Sequence, residues 1–265
     1  MKIYNYKIGF VGFGNMGQAV ARGWLQSDFV HPDQLYASAR NQERLRENTE
    51  QLGITAVSSN RELVETVDIV VIAVKPYQIR EIFEPLKEQL KDKILVSVAV
   101  NILFKDFDAY LLEETQNLST LPNTPVSIRK GITLFEETHN LSERSFDLVK
   151  ELFEILGHVE VVPTEQMGIA GLISGSAPAF VDVFTEALAD AAVKHGLNRQ
   201  TAYQLVSQMI SGTGQLQLKT GKHPGVLKDE ITSPGGTTIQ GLSALEKNNF
   251  RGAIIEAVDT ILENE

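Results

Sequence analysis

Up to Pro163 the chain alternates short apolar runs with longer stretches of helical periodicity. Residues 7–12 read as a buried strand, followed by a helix through Ala19, Val20, Gly23, Trp24 and Leu25. The same pattern predicts strands at 35–39, 54–57, 94–98, 117–121 and 158–162. Residues 68–74, Asp-Ile-Val-Val-Ile-Ala-Val, form a near-continuous apolar run, as expected of a strand buried on both faces. Between the strands, Asn60 fits an N-cap, Pro76 fits a first helical turn, and 143–156 repeats apolar residues at helical spacing. Such alternation predicts a parallel sheet with ligands at the C-terminal strand ends.

After Pro163 the alternation stops and helices are predicted over 165–195, 199–218, 224–231, 234–248 and 251–262, with a loop at 219–223. The first of these is interrupted at Ser174-Gly175-Ser176-Ala177-Pro178, where Pro178 kinks or restarts the helix. It is apolar or small on every side, which predicts full burial. A domain of about 100 residues offers little to bury it, so a second subunit is the expected cover. The organisation is therefore an α/β domain over 1–163 and an all-helical domain over 164–265.

Composition narrows the function. The chain has 265 residues, is 43% hydrophobic and 22% charged, and so can bury two cores. It has no cysteine, which removes disulfides, thiolate metal sites and cysteine nucleophiles and fits a cytoplasmic protein. A net charge of −10 argues against nonspecific binding to nucleic acid or an anionic membrane. The quietest stretch, residues 167–181, is uncharged for 15 residues, too short to span a bilayer. The apolar N-terminus runs directly into a glycine pattern and reads as a strand, not a signal sequence.

That pattern is Gly12-Phe13-Gly14-Asn15-Met16-Gly17, a G-x-G-x-x-G between a strand and a helix. Gly12 makes the turn, Gly14 lets the backbone meet a pyrophosphate, and Gly17 lets helix and strand pack closely. The first domain is thus a Rossmann-type dinucleotide-binding domain. About 20 residues further on, NAD enzymes usually place an acid against the ribose 2′-OH. Here Tyr36-Ala37-Ser38-Ala39-Arg40 has none, and Ser38 and Arg40 suit a 2′-phosphate. NADPH is favoured over NADH, the other reading of Arg40 being a solvated helix start. Val74, Lys75 and Pro76 end one strand and Ala99, Val100 and Asn101 another, making them candidate walls of the nicotinamide pocket. The turn Pro122-Asn123-Thr124-Pro125 either closes a loop over that pocket or is an ordinary turn.

In the second domain, Ser233-Pro234-Gly235-Gly236-Thr237-Thr238 reads as a helix start built for an anion. Ser233 fits the cap and Pro234 the first turn, while Gly235 and Gly236 leave their N–H groups open to a ligand. Unpaired N–H groups at a helix start favour a carboxylate or phosphate. Ile239, Leu242 and Leu245 then give one apolar face. Elsewhere the chemistry is sparse. Histidines 31, 139, 158, 195 and 223 are scattered, without metal-ligand spacing. Asp182 and Glu186, i and i+4, either share a divalent ion or form a polar helix face that Asp190 extends. With no acid–base pair, a cyclic imine acid suits the inventory. Its iminium form already accepts hydride, and Thr238 is the hydroxyl to orient the ring nitrogen.

These residues resemble pyrroline-5-carboxylate reductases. The resemblance spans essentially the whole chain and rests on Gly12–Gly17, Ala73-Val74-Lys75-Pro76, Pro122–Pro125, residues 174–180 and, above all, residues 227–239. It implies NAD(P)H-dependent reduction of pyrroline-5-carboxylate to L-proline, the last step of proline biosynthesis. It further implies a helical dimerisation domain, with dimers often assembled further. The 233–238 loop would hold the substrate carboxylate, Thr238 would face the imine nitrogen, Asn60 would lie by the adenosine, and Lys75 and Pro76 by the nicotinamide. Two stretches depart from the family pattern: Ala99-Val100-Asn101 replaces Ala-Ala-Gly, and Ala177 replaces a glycine before the proline. Two other readings compete. A hydroxyacid dehydrogenase would need a lysine on the helix opening the second domain, and none stands between Lys150 and Lys194. A regulatory paralogue would bind dinucleotide or imino acid without turnover.

Overall fold

β1 (Ile8–Val11) has no exposed residue and is an interior strand, third in the order of an eight-stranded sheet. The computed structural model describes residues 6–263. β2 (Leu35–Ser38) and β3 (Thr55–Ala56) extend the sheet on one side of β1; β4 (Ile69–Ile72) and β5 (Ile94–Ser97) extend it on the other. All are parallel, and the order β3-β2-β1-β4-β5 reverses at β1, which opens a crevice at the C-terminal ends of β1 and β4.

The sheet continues through β6 (Gln116–Pro122), β7 (Gly131–Glu136) and β8 (Gly157–Val162). Here the expected parallel sheet needs correcting. β7 runs antiparallel to β6, because the Pro122–Pro125 turn leads into a single 3-10 turn, Thr124–Ile128, instead of a crossover helix. β8 returns parallel to β7 through helix α5 (Glu143–Glu154).

Helix α1 (Asn15–Leu25) is clamped to this second half of the sheet. The buried Trp24 donates its indole N–H to the Leu152 carbonyl on α5 at 2.7 Å, and its ring lies 5.7 Å from those of Phe10 and Phe153. Gly23 allows the approach, since a Cβ there would lie 2.2 Å from the Val126 carbonyl oxygen.

The chain divides into two compact units at Gly175/Ser176, twelve residues beyond the sequence boundary at Pro163. The intervening residues, including α6 (Met167–Gly171), belong to the first unit. There Asn123 on the β6–β7 turn donates from Nδ2 to the Ser174 carbonyl at 2.9 Å and accepts the Ile132 N–H at 2.8 Å. Residues Leu172–Ser176 form a π-helical turn. It widens the helix without ending it, so Thr164–Lys194 is one helical stretch of 31 residues, long and apolar enough to cross a membrane. The uncharged run 167–181, by itself too short to span a bilayer, thus lies within a longer apolar helix.

The second unit comprises α7 (Pro178–Lys194), α8 (Arg199–Thr220), α9 (Pro224–Glu230), α10 (Thr237–Lys247) and α11 (Phe250–Leu262). α7 packs on α8, and Arg199 pairs with Asp190 at 2.6 Å. The predicted full burial is not reached in one chain: α7 buries only Ala189, while Val183 is 67% exposed.

Candidate functional site

The crevice at β1 is an open cleft of about 1100 Å³. Gly12 turns the chain into it with φ +85°, and its N–H donates to the Ser38 carbonyl at 2.9 Å. A side chain at Gly12 would lie 2.6 Å from the Ala73 carbonyl oxygen, so both conformation and crowding demand glycine. Gly14 caps α1, and a Cβ there would meet nothing within 4 Å: the backbone faces open space, as a phosphate cradle requires. Gly17 lies close against Gly12 and Ala73. Asn15 and Met16 line the cleft at the start of α1. Phe13 also lines it, but its ring packs on Phe10 at 5.5 Å, so what it offers a ligand is main chain.

The far wall carries Arg40, beyond β2 and ahead of α2 (Gln42–Glu50), which is capped by Asn41. Ser38 does not line the cleft, contrary to expectation. It is 1% exposed, and its hydroxyl donates to Asn60 Oδ1 at 2.8 Å. Ser38 therefore holds Asn60, which does line the cleft. Asn60 is the first residue of α3 (Asn60–Thr66) and not its cap; Ser59 caps it, with Oγ accepting from the Glu62 N–H at 3.2 Å. Glu62 in turn accepts from both the hydroxyl and the N–H of Ser58, which hold its carboxyl below the usual range.

Val74, Lys75 and Pro76 line the cleft beyond β4, where Pro76 opens a 3-10 turn ahead of α4 (Ile79–Phe83). Ala99 and Val100 line it beyond β5. Asn101 takes φ +57°, a left-handed position where glycine is the usual occupant and asparagine is well tolerated. That explains how this chain departs from the family pattern without distorting the loop. Ala177 sits at φ −62° and needs no glycine either.

The ionisable residues lining the cleft are Arg40, Arg44, Lys75 and Glu81, three cations and one carboxylate in a chain of net charge −10. Such a cleft suits a polyanion. Sequence reasoning missed Arg44; the signal was its place four residues after Arg40, at the start of α2.

In the second unit the 233–238 segment, expected to start a helix at Ser233, differs in detail. Ser233 to Gly236 form a type II turn, the Gly236 N–H donating to the Ser233 carbonyl at 3.0 Å, with Pro234 second and Gly235 third at φ +71°. Ser233 is thus not the helix cap. Gly236 is, and α10 begins at Thr237. Thr237 and Thr238 are exposed at that helix start, where backbone N–H groups have no helical partner. Ile239 and Leu245 also stay exposed in the single chain. Among the described residues, no three His, Asp or Glu side chains come together as metal ligands.

The comparisons agree with this geometry. Residues 7–101 match the family described as NADP oxidoreductase coenzyme F420-dependent, and residues 164–265 match the family described as pyrroline-5-carboxylate reductase dimerisation. Pyrroline-5-carboxylate reductase of Treponema pallidum is 39% identical over 97% of this chain and 99% of its own length. That of Escherichia coli is 35% identical over 97% and 96%. The solved pyrroline carboxylate reductase of Plasmodium falciparum, with NADP bound, is 32% identical, covers 98% of this chain and 97% of its own, and superposes with a TM-score of 0.87. The dimerisation match over residues 164–265, where many apolar side chains stay exposed in the single chain, supports a homo-oligomer. With a dinucleotide cleft in one unit, a dimerisation region in the other and likeness along nearly its whole length, the chain belongs to the pyrroline-5-carboxylate reductase family.

Proposed function

We propose that this chain reduces 1-pyrroline-5-carboxylate to L-proline with NADPH, the last step of proline biosynthesis. The observation that carries the reading is the 39% identity over 97% of the chain, which takes in both the cleft and the 233–238 turn. NADPH, when bound, supplies the hydride; the imine carbon accepts it as the C=N bond becomes C–N, and the protonated nitrogen becomes the amine of proline. Gly12, Phe13, Gly14, Asn15, Met16 and Gly17 would hold the pyrophosphate through main chain. Arg40 and Arg44 would take the 2′-phosphate, Asn60 the adenosine side, and Val74, Lys75 and Pro76 the nicotinamide. NADH would be the weaker donor, lacking the phosphate.

On the substrate side, Ser233, Gly235, Gly236 and Thr237 would hold the carboxylate with N–H and hydroxyl groups. Thr238 would orient the ring nitrogen. Because the iminium is already electrophilic, positioning does most of the catalysis and no strong base is required. The working form would be a homodimer or a dimer-based assembly in the cytoplasm, without nucleic-acid or membrane partners.

Adding pyrroline-5-carboxylate to purified protein should oxidise NADPH. Binding of NADPH without turnover across the workable pH range would overturn the reading in favour of a regulatory paralogue. Growth of a proline auxotroph carrying the gene separates the same two outcomes in cells. A solution mass of 29.3 kDa, one chain, would refute the assembly.

A further inference from the structure

Glu136 ends β7 with no exposed surface, and among the described residues it is the one charged side chain buried to that degree. Hydride transfer as derived above makes no use of it. Its two oxygens reach different segments. Oε2 accepts the Phe104 N–H at 2.7 Å, and Oε1 accepts the Thr164 hydroxyl at 2.8 Å. Burying a carboxylate is costly unless its oxygens are satisfied, and an apolar residue would fill the space without that cost. What the carboxylate adds is direction: two acceptors aimed at two segments.

The segment reached by Oε2 is the loop that leaves β5. Its near end is tied to the sheet, where Val98 donates to the Ile72 carbonyl at 3.0 Å and Ala99 donates to Ser97 Oγ at 3.2 Å. Ala99 and Val100 then line the cleft, Val100 being 61% exposed, and Asn101 turns the chain through a left-handed conformation. The far end closes at Phe104, which opens the 3-10 turn Phe104–Phe107. Glu136 holds that end by the Phe104 N–H.

We propose that Glu136 is a positioning residue for hydride transfer: it fixes the far end of the 98–103 loop and so the wall against which the nicotinamide lies. This rests on the reading of that loop as the nicotinamide wall. A dinucleotide is bound mainly through its phosphates and adenosine, at the opposite end of the cleft. Loosening the 98–103 wall therefore leaves affinity nearly intact while the reacting carbon loses alignment, and small misplacements of reacting atoms are expensive in rate.

The test compares Glu136→Ala with Glu136→Gln. Glutamine can keep both links: its carbonyl accepts from Phe104, its amide donates to Thr164 Oγ1, and the Thr164 proton turns to Thr138 Oγ1, 2.8 Å away. Glu136→Ala should lower kcat about tenfold, with KM for NADPH within about twofold of the parent, and Glu136→Gln should restore kcat to within about twofold. The isotope effect with NADPH deuterated at the transferred position should rise in Glu136→Ala, as hydride transfer becomes the slow step. A purely fold-holding role would lower the melting temperature and leave kcat per folded molecule and the isotope effect where they were; that result, or glutamine failing as badly as alanine, overturns the proposal. If Glu136→Ala does not fold, Phe104→Pro removes the donor at a position where proline suits the turn, and an unchanged kcat there is equally fatal. A parent protein that does not turn over pyrroline-5-carboxylate would sink the proposed function instead.

Discussion

Arg40 and Glu81 pair at the cleft, Nη2 to Oε2 3.8 Å, one beyond β2 and the other on α4. Both side chains are about four-fifths exposed, so the pair adds no more than about 0–1 kcal/mol to stability. Its consequence is for the cofactor. The guanidinium suited to a 2′-phosphate is shared with a carboxylate that repels one. Glu81→Gln should lower KM for NADPH about two- to fivefold, more at low salt, and leave KM for NADH unchanged. Arg40→Asp should shift preference toward NADH by about tenfold or more. Steady-state kinetics with both cofactors measures each ratio, and unchanged ratios refute the phosphate assignment.

Thr238→Ala removes the hydroxyl proposed to orient the imine nitrogen and, at an exposed helix start, should leave the fold intact. Losing one hydrogen bond in the transition state should lower kcat about 10- to 100-fold, at about 1.4 kcal/mol per factor of ten. NADPH affinity should stay within about twofold. Equal turnover in the variant would show that the hydroxyl has no role.

The parallel part of the sheet is legible in the sequence because strands such as β1 and β4 are apolar runs buried on both faces. β7 is not legible: Gly131-Ile-Thr-Leu-Phe-Glu follows a proline-rich turn closely, and only tertiary pairing makes it a strand. Helix starts shift by one to three residues, Ser59 for Asn60 and Gly236 for Ser233, because a cap is decided by which residue the chain turns at. Ser38, at the end of β2, stands at the spacing from the glycine motif where a ribose contact is expected, yet its side chain is buried against Asn60. Glu136 carries no signal in the sequence, because it ends β7, itself not legible, and only the fold brings Phe104 and Thr164 to it.

Gly12 and Gly235 share a left-handed backbone but differ in space. At Gly235, φ +71°, a Cβ would meet nothing within 4 Å, so Gly235→Ala should cost only the backbone term, about 1–2 kcal/mol. At Gly12, φ +85°, the added atom would also press on the Ala73 carbonyl, and the cost should be clearly larger. Denaturant titration of the two variants compares them directly. Equal losses would mean that the chain just beyond β4 gives way freely at Ala73.

His139 sets part of the acid limit of stability. Its ring stacks on Phe146, centroids 4.8 Å apart and planes 15° from parallel, and its Nδ1 accepts the Leu141 N–H at 3.2 Å. Burial disfavours the charged ring and holds its pKa below the ordinary 6.5. The unfolded chain therefore takes up a proton there before the folded one does. Stability due to this site is intact above pH 6.5, falls as pH drops below it, and stops falling once pH is below the lowered folded value. His139→Phe keeps the stack and removes the titration, so its stability should fall less steeply than the parent's as pH drops below 6.5. Denaturation midpoints measured across that window give both slopes. Parallel slopes would mean that the ring titrates equally in both states and that its burial has no energetic consequence.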